Sequence, residues 1–446
     1  MKEEILAVIE SEHLDINKLK DMFSEMNTVD IADIFTGLSK EKITAVFRIL
    51  PKPIAADVFA EMDADEQQIV VEALTDDEVG EIMNRLFVDD AVDFIEELPA
   101  NVVKRVLQSV LPEKRKLINQ ILQYPDDSAG SIMTTEYIDL KEDMTAREAF
   151  DRIRLTGVNK ETIYTCYVIK RDRTLVGVVS VKTLLLAPPD DTIEHIMDTN
   201  IVFAWTSDDQ ETAANLFKRY GLLALPVVDK EERLVGIITV DDIVDVIEEE
   251  NTEDFEKMNA LSPSDDPYLK TSIIRLAKNR IVWLLVLMLS ATVTGGIISS
   301  FENALAVLPI LVAFIPMLMD TGGNAGAQSS TLIIRGMALG EISLRDIVRV
   351  LWRELRIGTL CGLGLGAVNF VRIYLMNGRS LFLSAAVTVS LFVTVLMAKS
   401  VGCVLPMFAK RLGIDPAIMA APLITTIVDG ASLIIYFSIA KAVFRL

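Results

Sequence analysis

Histidine and cysteine are almost missing from this chain of 446 residues, which has two of the first and three of the second. His13 and His195 have no nucleophile or partner ligand at metal-site spacing. Cys166, Cys361 and Cys403 lie far apart in sequence. A thiolate or imidazole metal centre, a disulfide framework and an imidazole-based catalytic site are therefore unsupported, and the cysteines read as small packing residues. These absences argue against an enzyme. Another scarcity is positional. Residues 281–446 hold only 7 Asp and Glu against 12 Lys and Arg, whereas residues 1–250 hold 52 against 26. A net −26 followed by a net +5 describes two parts made for different solvents. The acidic excess opposes nucleic-acid binding. The N-terminal "MKEEILAVIE" lacks the apolar core of a leader, so no cleaved signal is expected and the first membrane helix directs insertion.

The second solvent is a bilayer. Windows 281–301, 304–320 with its continuation, 357–376, 380–405 and 417–440 approach or exceed the ~20 apolar residues that cross a membrane. Five crossings put the termini on opposite sides. Lys278 and Arg280 precede the first window, and Arg335, Arg345, Arg349, Arg353 and Arg356 separate the second from the third. Lys410 and Arg411 separate the fourth from the fifth, while the first outer loop offers only Glu302. The positive-inside bias places the acidic half in the cytoplasm and the C-terminus outside, in a multi-pass protein of the cell (inner) membrane.

Two internal repeats organise the acidic half. Ile34, Val58, Ile82 and Val106 recur every 24 residues, as do Leu38, Met62, Leu86 and Val110. Val46, Val70, Phe94 and Ile118, then Leu50, Leu74, Leu98 and Leu122, form the second register. Pairs of short helices that bury apolar stripes only by stacking are expected. Further on, "RTLVGVVSVKTLL" resembles "ERLVGIITVDDIV", and Met133 and Gly177 correspond to Met197 and Gly236. Each copy reads as strand, helix, two strands, helix, and resembles a CBS domain. Such pairs bind adenine nucleotides through Thr/Ser-x-x-Asp at the last helix. The second copy has Thr239 and Asp242; the first has Ser180 and Thr183 but no carboxylate. That implies at most one site, for ATP or another adenine nucleotide, with Thr239 as a plain helix cap the alternative. An acidic amphipathic helix then follows and breaks at Ser262-Pro263.

The membrane half carries polar residues where lipid would exclude them. In "PMLMDTGGNAGAQSS", Asp320, Asn324 and Gln328 fall at i, i+4 and i+8 and form one stripe on a helix. Gly322 with Gly326, and Gly323 with Ala327, make small-xxx-small pairs for close helix packing. Asp429 stands halfway along the last window, where a carboxylate costs roughly 2.5–3.5 kcal/mol. Thr425 and Thr426 are expected on its face, with Pro422 freeing carbonyls a turn earlier. Lys399 is the one internal counter-charge in reach by sequence, and it is expected to snorkel to the cytoplasmic headgroups. Asp429 is then free to line a cation pathway. "GLGLG" at 362–366 lies in an apolar window without a preceding strand and reads as helix packing.

"PMLMDTGGNAGAQSSTLIIR" together with "GIDPAIMAAPLITTIVDGASLIIYF" resembles the MgtE family of magnesium channels and transporters, and the domain order matches over nearly the whole chain. The resemblance implies an all-α helical-repeat N domain (1–128), an α/β CBS pair (129–192 and 193–250), a connecting plug helix (251–274) and a five-helix transmembrane domain (275–446). It implies a homodimer with a central pore, Asp429 of both chains as the selectivity carboxylate, and Mg²⁺ as both cargo and regulator. A carboxylate ring holding a hydrated ion suits Mg²⁺, which sheds water reluctantly. Regulatory Mg²⁺ is implied at Asp209, Glu211, Asp242, Asp245, Glu250, Glu253, Asp254 and Asp415, and in the N domain at Asp89, Asp90 and Asp93. Gly221 stands where the family pattern offers an acid. The alternatives are a carrier of another divalent ion such as Co²⁺, an ion-coupled carrier, or a membrane sensor without transport, against which the mid-membrane Asp429 argues.

Overall fold

The structure, a computed structural model, describes residues 2–10, 15–264, 268–269, 271–376, 380–419 and 421–445. His13 falls outside them. The chain forms two compact units, Met1–Ile247 and Glu248–Leu446.

The first unit opens with α1 (Lys2–Glu10) and α2 (Ile16–Ser24). Four helix pairs follow: α3 (Thr28–Phe35) with α4 (Lys40–Phe47), α5 (Lys52–Ala60) with α6 (Ala64–Ala73), α7 (Asp76–Arg85) with α8 (Val88–Glu96), and α9 (Ala100–Ser109) with α10 (Pro112–Ile121). Their starting residues repeat at the 24-residue period of the sequence. Prolines help set the starts: Pro51 and Pro99 precede α5 and α9, and Pro112 opens α10, where a missing N–H costs nothing. Ile34, Val58, Ile82 and Val106 are all buried, and an edge-to-face run Phe35–Phe47–Phe59–Phe94 ties successive pairs together.

Two three-stranded sheets come next. The first copy contains β1 (Ile138–Leu140), α11 (Ala146–Thr156), β2 (Thr165–Ile169), β3 (Leu175–Ser180) and α12 (Val181–Leu186). The second contains α13 (Ile193–Ile196), β4 (Ala204–Trp205), α14 (Gln210–Tyr220), β5 (Ala224–Val228), β6 (Leu234–Thr239) and α15 (Val240–Met258). In each sheet the first pairing is parallel and the second antiparallel. The copies exchange their leading segments. Thr134 of the first bridges Ile237 in β6, and Asp198 of the second bridges Val178 in β3. Accordingly Met133 packs where a side chain on Gly236 would lie, and Met197 does the same to Gly177.

The second unit begins with the end of α15, which runs unbroken past Glu250 and stops before Ser262-Pro263. Among the described residues, five stretches are long and apolar enough to cross a membrane. They contain α16 (Ile273–Ser300), α18 (Ile315–Ala338), α19 (Ile347–Met376), α20 (Leu381–Arg411) and α21 (Ala421–Phe444), with the short α17 (Glu302–Val307) after the first. These are longer than the apolar windows because their ends carry polar residues, and the second crossing starts only at Pro309, after α17 ends. The α18 helix packs against both α20 and α21, and α19 lies along α20. The "GLGLG" segment is continuous helix: Gly358, Gly362 and Gly366 receive Leu396, Phe392 and Thr388 of α20.

Candidate functional site

One glycine-rich face seats α18. Gly322 meets Thr394 of α20 and Val428 of α21, Gly323 meets Thr425, and Gly326 meets Ile424 and the Ala398 carbonyl. With that face buried, Asp320, Asn324 and Gln328 stand exposed on another side of the same helix. Asp429 on α21 is half-buried and lies within electrostatic reach of Asp320. Among the described residues neither carboxylate has an ion-pair partner. The arrangement is two carboxylates and two amides on neighbouring helices, open on one side, with no ion-pairing cation among the described residues.

Two expectations about this region change. Pro422 is in the first turn of α21, so it frees no carbonyls upstream. Its own carbonyl instead accepts from both Thr425 and Thr426, each at 2.9 Å, and the Thr425 methyl is turned to Gly323. Lys399 does not snorkel. It is 5 % exposed, and its ammonium lies 3.9 Å from the Glu354 carboxylate of α19 and donates to Ser329 of α18 at 3.3 Å. Sequence reading passed over Glu354 because it follows a run of interfacial arginines and looks like one more headgroup-level charge. Its seven-residue offset from Ile347, at the start of α19, was the available signal.

A second constellation lies inside the first unit. Asp89 and Asp90 at the start of α8 face Asp242 at the start of α15 and Glu161 in the loop before β2. Helix starts favour acids, so each carboxylate is locally reasonable; together they repel. Burial, then Asp90, Asp242 and Glu161, holds the Asp89 carboxyl well above the ordinary range. Burial and Asp242 push Asp90 up to about 6. Burial, then Asp90 and Asp242, push Glu161 up to about 8, and its Oε2 is buried without a hydrogen bond. Glu61 is raised by burial and by Asp245 and Asp241. Lys114, bonded to the Leu86 carbonyl, is the cation among them, and burial lowers its own pKa. Asp242 accepts from both the backbone N–H and the hydroxyl of Thr239, the side-chain half of a capping box at the start of α15.

The remaining acids are dispersed. Asp93 is exposed one turn beyond Asp89, and Asp209 caps α14 by accepting from the Glu211 N–H at 2.9 Å. Gly221 ends that helix at φ +62°, a left-handed cap that explains glycine there. Glu250 and Asp254 are partly buried on α15. Within the second unit, Glu253 and Asp415 share Lys257, at 2.6 and 2.8 Å. Burial opposes that ammonium, but its bonds to Asp415 and Glu253 outweigh the cost and raise its pKa. Among the described residues no three acidic, histidine or cysteine side chains converge closely enough to hold a bare metal ion. Oxygen donors that stay apart suit an ion that keeps its water. Sequence missed Glu61, Glu161 and Lys114, which no motif links to α8.

These features match known proteins throughout. Residues 315–439 match the MgtE model, described as a divalent cation transporter, residues 12–127 the MgtE intracellular N domain, and residues 129–190 and 193–249 the CBS domain. A magnesium transporter MgtE of Thermus thermophilus is 37 % identical over 98 % of this chain and 98 % of its own length. The chain belongs to the MgtE family. The Bacillus subtilis magnesium transporter MgtE is 33 % identical, over 96 % of this chain and 94 % of its own. Among solved structures, the cytosolic domain of the Mg²⁺ channel MgtE in complex with ATP covers 52 % of this chain and 95 % of its own, at 34 % identity and TM-score 0.50. The soluble part of a magnesium transporter covers 56 % and 99 %, at 28 % identity and TM-score 0.53. In this chain the helical repeats and CBS pair precede the membrane helices.

Proposed function

We propose that this MgtE-family chain conducts Mg²⁺ into the cell through a path lined by Asp429, Asp320, Asn324 and Gln328, and that Mg²⁺ on its acidic unit closes that path. The carrying observation is the open polar face of α18 beside an unneutralised Asp429, in a unit otherwise built for lipid. Such a face needs a covering. A second copy supplies it, bringing two Asp429 carboxylates opposite each other around a hydrated dication. A divalent ion relieves that repulsion better than a monovalent one. No residue of α16 is fully buried, although Ile297 and Ile298 pack on the core, and this leaves further surface for lipid or the partner. Thr425 and Thr426 belong to the lining through their place on α21, although their hydroxyl protons are spent on Pro422.

For closure, the support is the crowding of Asp89, Asp90, Asp242, Glu161 and Glu61. Hydrated Mg²⁺ relieves this repulsion and draws the helical repeats onto the CBS pair. Asp93, Asp209, Glu211, Asp245, Glu250, Glu253, Asp254 and Asp415 complete the acidic complement. The charge bias and the description of the matching N domain as intracellular both support an acidic half inside and a C-terminus outside. Adenine nucleotide at Thr239 and Asp242 is supported by the relative solved with ATP. It would use the same Asp242 carboxylate as the acid cluster, so nucleotide and Mg²⁺ occupancy are coupled.

The deciding experiment is growth of a Mg²⁺-transport-deficient host at limiting Mg²⁺, with the intact chain and with Asp429→Ala. Rescue by the first and not the second is expected. Equal rescue by both removes Asp429 from the path, and rescue by Co²⁺ alone points to the other cation.

A further inference from the structure

Ser329, Glu354 and Lys399 form a buried polar contact among three membrane helices, and neither conduction nor closure as proposed above uses it. Lys399 and Glu354 are 5 % and 7 % exposed, and Ser329 is 1 % exposed. The Ser329 hydroxyl donates to the Glu354 carboxylate at 2.6 Å while its oxygen receives the Lys399 ammonium at 3.3 Å, and the two charges stand 3.9 Å apart. Helices α19 and α20 approach closely beside this contact: a Cβ on Gly358, one turn after Glu354, would lie 3.2 Å from Leu396 Cδ2 and 3.4 Å from Lys399 Cδ. A buried pair of this kind is often no more stabilising than an apolar one, so stability alone does not explain two charges in a lipid-facing unit.

Its place on α18 suggests a purpose. Ser329 directly follows Gln328, and neighbours on a helix point about 100° apart. Whatever holds Ser329 toward α19 and α20 therefore sets the direction of Gln328 and, one turn back, of Asn324. Elsewhere α18 rests on Gly322, Gly323 and Gly326 and on apolar residues such as Leu318 and Ile333, with the Ser330 hydroxyl on the Met419 carbonyl at 3.4 Å; none of these is as short and directional as the Ser329–Glu354 bond. We propose that Ser329, Glu354 and Lys399 are a charge-compensated clasp that sets the rotation of α18 and so aims Asn324 and Gln328 into the ion path. This rests on the assignment of α18 to that path. The three are positioning residues: Glu354 anchors, Ser329 transmits, and Lys399 sets a counter-charge beside the buried carboxylate at 3.9 Å.

The test is Mg²⁺ and Co²⁺ influx into liposomes holding the purified full-length chain, with thermal unfolding of the same samples. Ser329→Ala keeps the ion pair but unlinks α18. It is expected to lower maximal Mg²⁺ influx about tenfold and to shift the Mg²⁺/Co²⁺ ratio, with half-saturation and unfolding temperature nearly unchanged. Glu354→Gln leaves Lys399 uncompensated and should fall further, and Glu354→Gln with Lys399→Gln should recover part of the loss. Wild-type influx and ratio in Ser329→Ala overturn the clasp, as do losses that merely track lost folded protein and gain nothing in the double variant. Asp429→Ala in the same liposomes separates the two ideas. Normal influx there sinks the path itself, whereas its loss beside a normal Ser329→Ala sinks only the clasp.

Discussion

Gly402 of α20 rests against the carbonyl oxygen of Gly326 in α18 with no room between them for a methyl group. That contact lets the helix bearing Asp320, Asn324 and Gln328 lie against its neighbour. Overpacking there costs roughly 1–3 kcal/mol or displaces the helix. Gly402→Ala should reduce Mg²⁺ influx strongly, while Gly364→Ala, whose added methyl meets open space, should leave it within about twofold. Influx into proteoliposomes, normalised to folded protein, checks the pair.

Asp429 offers charge without a counter-ion, so removing the charge should remove the attraction for cations. Asp429→Asn should lower Mg²⁺ influx by about two orders of magnitude with little change in unfolding temperature, because no ion pair is lost. Isotope uptake measured beside differential scanning fluorimetry distinguishes this from misfolding.

Acid crowding in the first unit makes stability depend on pH. The carboxyls of Asp90, at about 6, and Glu161, at about 8, lie above their unfolded values of about 4. Between those values the folded protein holds more protons than the unfolded chain, so stability falls as pH rises through the window. In EDTA, hydrogen-exchange protection at α8, corrected for the intrinsic pH dependence of exchange, should therefore fall from pH 5 to 8. Mg²⁺, or Glu161→Gln, should flatten the trend; an equal slope in all three conditions contradicts the crowding.

If divalent ions join helical repeats to CBS pair, proteolysis will report it. Trypsin cleavage of the first 250 residues should slow as Mg²⁺ rises. The paired change Asp90→Asn with Asp242→Asn should resist trypsin even in EDTA and respond weakly to Mg²⁺. Identical digestion with and without the ion would remove closure from this cluster.

Much of this was legible in the chain because it is periodic or compositional. The 24-residue recurrence from Ile34 to Val106 specified the repeat helices, since a stripe of that spacing has one way to be buried. The five apolar windows likewise reflected a solvent requirement that acts on every residue of a span. The duplicated Gly177 and Gly236 were visible as a repeat, but not that each would receive the other copy's methionine. Such local patterns carry no record of which distant residues meet. Only tertiary structure paired Lys399 with Glu354 instead of with headgroups, since a lysine stem reaches either and the helix it meets decides. Only tertiary structure, too, gathered Glu61, Asp89, Glu161 and Asp242, residues up to 181 positions apart, into one place where their charges act on each other. Sequence determines what each segment must bury; the fold determines which charges that burial brings together.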